Sequence, residues 1–122
     1  MNMDIDLNEL LEDFADEAEL LSESIEIFEK TGSEAISNLR ASFSSRDFKT
    51  FERIAHTLKG NLRTFRFNDA AMIFQDLEHQ GAAASITAST DEIEHACTLV
   101  SKAISVLLDI KLQLVGKIGK AV

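Results

Sequence analysis

The 122-residue chain has the length of one domain, and its hydrophobic fraction of 45% can supply a packed core, which argues against extensive disorder. Its formal net charge of −9 argues against nucleic acid as a partner, because phosphate backbones are bound by basic surfaces. The absence of proline, with only five glycines, favours long helices over a turn-rich β fold, and a single cysteine excludes an internal disulfide.

The N-terminal segment MNMDIDLNEL has no basic region followed by an apolar run, so it does not resemble a signal peptide. No apolar run reaches the roughly 18 residues that a membrane-spanning helix needs. Together with the single cysteine, which fits a reducing compartment, these features lead us to expect a soluble, cytoplasmic protein that does not bind membranes.

A short helix is predicted first, over about residues 6–14. Asp6 can cap its N-terminus, and Glu9 follows three residues later. Its apolar side chains fall on one side: Leu7, Leu10, Leu11 and Phe14. A long second helix follows, in which apolar residues recur every three or four positions. Gly32 lies on that apolar stripe, so we interpret it as a point of close contact within one helix, with a break there as the less favoured alternative.

The segment SSRD at 44–47 predicts a turn followed by a helix start. The third helix, over about residues 47–66, has a regular apolar stripe: Phe48, Phe51, Ala55, Leu58, Leu62 and Phe65. Asn68 is predicted to cap a fourth helix, and Gly81 is predicted to end it. Ser89 and Glu92 form a capping box for the last helix, whose apolar face continues through Leu114 and Ile118.

Four amphipathic helices joined mostly by short loops predict an all-α fold, an antiparallel four-helix bundle with the short N-terminal helix packed across one end. We expect one domain over residues 1–122, with the bundle at about 16–115. The C-terminal segment KLQLVGKIGKAV is expected to overhang the bundle or to fray.

His56 is the unusual residue of the third helix. It lies one position past Ala55, about 100° from the apolar stripe in an ideal helix, so it is predicted to be exposed. Lys49 and Arg63 are seven residues to either side and share its face, while Lys59 and Gly60 lie one turn further on. A glycine inside a helix costs about 1 kcal/mol relative to alanine, so Gly60 indicates a need for open space.

Charge distinguishes this helix from the rest of the chain. Residues 46–66 carry a net charge of +4, which leaves −13 for the remainder. A neutral imidazole is a competent nucleophile near pH 7, and a phosphorylated one would carry a charge of about −2 that Lys59 could offset. The ordinary alternative, a solvated histidine on a basic helix face, stays open on spacing alone.

The segment AHTLKG at 55–60 resembles the signature of histidine-containing phosphotransfer domains, and TFRF at 64–67 and LE at 77–78 fall where that family has similar residues. The family is itself a four-helix bundle with the histidine in mid-helix. The resemblance implies a carrier in a two-component phosphorelay, not an enzyme, in which His56 is phosphorylated by the aspartate of one receiver domain and passes the phosphoryl group to another. Lys59 and Gly60 would support that role, and Glu78 would hold one ring nitrogen.

The resemblance further implies receiver domains, or a hybrid sensor histidine kinase, as partners of a monomeric carrier. The carrier would need no cofactor of its own, because Mg²⁺ would be bound by the receiver. We expect the docking surface to include Lys49, Arg63, Arg66 and Phe67. Arg63 and Arg66 stand where the family often has small residues, which makes them either obstacles to docking or determinants of partner choice.

Two other functions stay open. TFRF together with FADEAELL near the start also resembles the phosphoacceptor domain of chemotaxis-type histidine kinases, in which a kinase domain with ATP would phosphorylate His56. A helical interaction module without phosphotransfer is the other alternative. No metal site is expected, because the three histidines have no matched spacing and Cys97 lies on an apolar stripe.

Overall fold

The computed structural model describes residues 3–119, and most of them are helical. The five helices in that range are α1 (Leu7–Asp13), α2 (Ala18–Ser45), α3 (Phe48–Thr64), α4 (Asn68–Ala82) and α5 (Thr90–Gly119). None of these helices is both long enough and apolar enough to cross a lipid bilayer.

Helices α2 to α5 form the predicted antiparallel bundle. The Phe43 ring near the end of α2 lies 6.4 Å from that of Phe51 near the start of α3, whereas Phe28 lies 5.5 Å from Phe65, just past the end of α3. Helix α5 also runs antiparallel to α2, because Arg40 pairs with Glu94 near the start of α5. Further along α5, Lys111 pairs with Glu26.

Helix α1 packs across the end of the bundle at which α2 begins and α3 ends, as predicted. Leu10 and Leu11 are buried, and the Phe14 ring stacks on Phe65 at 6.1 Å. Asp6 caps α1 by accepting hydrogen bonds from the backbone N–H groups of Asn8 and Glu9. The short helix is therefore held by apolar contacts as well as by its cap.

Two buried glycines lie where helices approach each other closely. Gly32 lies within an uninterrupted α2, and a Cβ there would come within 3.1 Å of the Phe28 ring and 3.2 Å of Ile104, which confirms the predicted close contact. The prediction that Gly81 ends α4 was wrong, because α4 continues to Ala82. Gly81 instead packs against α3, where a Cβ would lie 3.0 Å from the backbone of Glu52.

The predicted N-terminal caps of α1 and α5 are confirmed, whereas that of α4 is not. Asp47 caps α3 through the backbone N–H of Thr50, and Ser89 and Glu92 exchange the two hydrogen bonds of a capping box. Asn68 does not cap α4 as predicted: it is the first helical residue, and Phe67 occupies the capping position without a side-chain hydrogen bond.

The C-terminal segment continues α5 further than the expected limit near 115. Leu114 is fully buried, and the helix extends to Gly119. The remaining expectation for the tail concerns residues 120–122, which lie outside the described residues.

Candidate functional site

His56 lies in the middle of α3, on the side facing away from the core. The opposite side of α3 packs inward through the buried residues Phe51, Ala55, Leu58 and Leu62. The His56 side chain is 65% exposed. The amphipathic pattern of α3 thus places the imidazole at the surface, where another protein can reach it.

Glu78 of α4 lies beside His56 because α3 and α4 run antiparallel. Its Oε2 atom lies 3.0 Å from His56 Nδ1, within hydrogen-bonding distance. Its Oε1 atom lies 2.6 Å from Lys59 Nζ, one turn further along α3. Oε1 is buried and has no partner with hydrogen-bond geometry in the described structure, so the contact with Lys59 is primarily an ion pair.

The surroundings of Glu78 favour its ionised form. The contact with Lys59 lowers the pKa of Glu78 most, and the contact with His56 lowers it further, while partial burial acts in the opposite direction. The Glu78 side chain is 18% exposed and that of Lys59 is 15% exposed. A carboxylate is therefore held at a fixed position beside the imidazole at neutral pH.

This arrangement determines which ring nitrogen can react. An ionised carboxylate only accepts hydrogen bonds, so Nδ1 of His56 is the donor to Glu78. In a neutral imidazole with its proton on Nδ1, the lone pair is on Nε2. Nε2 is then the nucleophilic nitrogen.

Gly60 leaves an open space one turn from His56. It is exposed, and no atom of the described chain would lie within 4 Å of a Cβ added there, apart from its immediate surroundings in the helix. Packing within this part of the chain therefore gives no reason for a glycine at position 60. The open space faces outward, on the same side of α3 as His56.

Two of the four expected docking residues, Lys49 and Arg63, lie exposed on the His56 side of α3. Arg63 donates a hydrogen bond of 2.7 Å to Oε1 of Gln75 on α4. Sequence reasoning missed Gln75. Symmetric pairing about the connection, with Glu78 opposite His56, places position 71 opposite Arg63. The long Arg63 side chain therefore reaches Gln75 about one turn away, and the sequence carries no direct signal for this contact.

The other two expected docking residues have different roles. Phe67 is only 2% exposed, so its prediction as a docking residue was wrong: the connection between α3 and α4 directs its ring into the core. Arg66 binds α1 through ion pairs with Asp13 and Glu9. These pairs lower the pKa of Asp13 and raise that of Arg66.

The other histidines and the cysteine form no second site within the described residues. His79 and His95 are exposed, and neither forms a hydrogen bond or ion pair with a carboxylate within residues 3–119. Over the same range, no group of three or more His, Cys, Asp or Glu residues could hold a metal ion. Cys97 is buried in the core, and that burial raises the pKa of its thiol.

Comparison with known families places the site in a matched segment. The family model described as "Hpt domain" matches residues 23–110, more than half of the chain, and the matched segment includes His56, Lys59 and Glu78. Searches of curated proteins and of solved structures gave no match.

Proposed function

Because the chain belongs to the Hpt domain family, the phosphotransfer carriers of two-component phosphorelays, we propose that His56 is the residue that carries the phosphoryl group. One observation carries this proposal: the His56 ring is exposed while its Nδ1 atom is held by the carboxylate of Glu78. His79 and His95 are also exposed, but neither has a hydrogen bond or ion pair with a carboxylate in the part of the chain that the structure describes.

In the proposed reaction, Nε2 of His56 attacks the phosphorus of an aspartyl phosphate on a receiver domain. The N–P bond forms as the bond between phosphorus and the aspartate oxygen breaks, and the aspartate leaves as a carboxylate. The imidazole then carries a positive charge and keeps its proton on Nδ1, where the Glu78 carboxylate stabilises it. The reverse reaction passes the group to the aspartate of a second receiver.

The carrier contributes a positioned nucleophile and little else. Phosphoryl transfer depends mainly on alignment and on stabilisation of charge, so the receiver, with its bound Mg²⁺, would provide the remaining groups. Hpt domains interact with receiver domains and kinases in phosphorelays. We propose that the partners of this chain are receiver domains, free or within a hybrid sensor kinase.

Lys59 acts in this proposal chiefly through Glu78. Its ammonium group is the strongest influence that keeps Glu78 ionised, and its side chain is largely covered. The sequence suggested that Lys59 would offset the charge of the phosphoryl group directly. The ion pair with Glu78 supports a second role, which is to hold the carboxylate that orients His56.

The proposal is tested with receiver domains of the source organism that carry a radiolabelled phosphoryl group. The wild-type chain should take up label that is stable to alkali and labile to acid, and His56→Gln should abolish the uptake without loss of helix content by circular dichroism. His79→Gln is the matched control and should be labelled normally. Label retained by His56→Gln, or lost in His79→Gln, would refute the assignment.

A further inference from the structure

Arg63 lies on the same side of α3 as His56, two turns toward the C-terminus. Seven residues at the helical rise place it about 10 Å along the axis from His56. Its Nη2 atom donates the 2.7 Å hydrogen bond to Oε1 of Gln75, which is itself partly buried. Because Gln75 is neutral, this bond holds the guanidinium group in place without cancelling its charge.

Four of the eleven Lys and Arg residues in the described range form ion pairs with a carboxylate, and the others do not. Arg40, Lys59, Arg66 and Lys111 are each paired with Asp or Glu. Arg63 and Lys49, on either side of His56, have no ion pair with any residue in the described range. Arg53 lies between them in sequence. The pKa of Asp47 is lowered chiefly by its hydrogen bonds with Thr50, and the charge of Arg53 lowers it further.

The face of α3 that carries His56 thus presents two cations without an ion pair in the described range, on a chain whose net charge is −9. The two outer charges, on Lys49 and Arg63, are separated by 14 positions and so by about 21 Å along α3. That span is comparable to the contact face of a small domain. A partner with carboxylates at its rim would complement it, whereas a partner with basic residues there would be repelled.

We infer that Arg63, held by Gln75, determines which receiver domains this carrier accepts, by pairing with an acidic side chain about 10 Å from the receiver's phosphorylated aspartate. The inference rests on the proposed function and deepens it, because it names the chemistry of the partner's surface. A guanidinium group that is already oriented loses less conformational freedom on binding, and its planar fork matches a carboxylate.

The same geometry explains how a large residue is accommodated near the reacting histidine. Arg63 bends toward α4 to reach Gln75, so its charge lies at the junction of α3 and α4. Gly60, between Arg63 and His56, keeps the direct approach to the ring open. Arg63 is therefore a specificity-determining residue at the edge of the contact, not a catalytic residue.

The experiment measures kcat/KM for transfer from the receiver domain that phosphorylates the wild-type chain fastest, as a function of NaCl concentration. Arg63→Gln removes the charge and should lower kcat/KM about tenfold at low salt, mainly through a higher KM, with a flatter salt dependence. Gln75→Glu leaves Arg63 in place but gives it a carboxylate within the chain to pair with. This variant should likewise lower kcat/KM and flatten its salt dependence. Lys102→Gln, which removes an exposed charge on α5, is the matched control and should behave as wild type.

A small phosphodonor, phosphoramidate, separates this inference from the proposed function. It reaches His56 without docking. The wild-type chain and the variants Arg63→Gln, Gln75→Glu and Lys102→Gln should therefore be labelled at the same rate. Failure to label the wild-type chain at His56 would refute the proposed function. Normal labelling, together with unchanged kcat/KM and salt dependence in Arg63→Gln, would refute the role of Arg63 alone. In a charge-swap experiment, Arg63→Glu is combined with a receiver whose facing carboxylate is changed to lysine. Recovery of kcat/KM in this combination would support the pairing directly.

Discussion

The carboxylate of Glu78 contacts two residues of α3, one with each oxygen: Oε2 contacts His56, and Oε1 contacts Lys59. An amide of the same shape could still touch both groups. It would carry no charge, however, and it could donate as well as accept. The tautomer of the ring would then no longer be determined.

Glu78→Gln should therefore slow transfer from a receiver by about tenfold to a hundredfold, as loss of a group that orients a functional histidine does elsewhere. Stability provides an independent measure. The pKa of Glu78 is lowered in the folded state from its ordinary value of 4.5, so its ionised form stabilises the fold above pH 4.5, and this contribution is lost as the pH falls through the folded-state pKa.

Urea denaturation of wild type and Glu78→Gln at neutral pH and at about pH 3 checks the second expectation, with the wild-type advantage shrinking in acid. An advantage that stays constant or grows as the pH falls would contradict the charge argument for Glu78.

Gly60 offers a test in which stability and function change in opposite directions. Gly60→Ala should stabilise the chain by about 1 kcal/mol, because alanine is the better helix former and the added Cβ meets no other side chain of the described residues. Transfer from a receiver should nevertheless become slower, because the Cβ lies in the open space beside His56. The two measurements are the free energy of unfolding in urea and kcat/KM.

Gly116→Ala is the matched control, since Gly116 is also exposed, helical and free of neighbours within 4 Å in the described chain. It should add stability and leave transfer unchanged. Unchanged transfer in Gly60→Ala would mean that the glycine does not serve partner approach.

At the level of helices, the site depends on the distance between α3 and α4. Gly81 allows the two backbones to come close at Glu52, one turn before His56, while Glu78 lies one turn before Gly81. The contact at Gly81 and the contact between His56 and Glu78 are therefore neighbouring points on one helix pair. A change in the distance between α3 and α4 at Gly81 should therefore alter the contact between His56 and Glu78.

Gly81→Ala should destabilise the fold by about 1–3 kcal/mol, because the new Cβ would lie 3.0 Å from backbone atoms that cannot move aside. It should also slow labelling of His56, since α4 carries Glu78 away from the ring. Urea denaturation and phosphoramidate labelling measure the two effects. If Gly81→Ala were as stable as Gly116→Ala, the close contact at Gly81 would not contribute to stability, and the prediction would be wrong.

The contrast between Gly81 and the caps shows what the sequence could reveal at this level. The caps at Asp6 and at Ser89–Glu92 were predictable, because both partners lie within three residues of each other. Gly81 and Phe67 were misjudged, because their environments are created by residues distant in the chain. The apolar stripes determined the bundle, and the resemblance pointed to His56 and Glu78, but the ion pairs between Arg66 and α1 join positions more than 50 residues apart.

For the molecule as a whole, the net negative charge destabilises the compact folded state. The chain has 21 acidic and 12 basic residues, and only part of the negative charge is paired. Self-repulsion of a net charge of −9 destabilises the folded state relative to the expanded one. The exposed ion pairs, such as that between Arg40 and Glu94, act in the opposite direction but contribute little in water.

The free energy of unfolding at neutral pH should therefore rise as NaCl increases from about 10 mM to about 150 mM, because the Debye length falls from about 30 Å to about 8 Å and the long-range repulsion is screened. Glu34→Gln, which removes an exposed negative charge on α2, should raise stability at low salt and reduce the gain from salt. Urea denaturation over this range of NaCl measures both effects. A decrease in stability with added salt would mean that the ion pairs, including those that hold α1 and Glu78, outweigh the net charge.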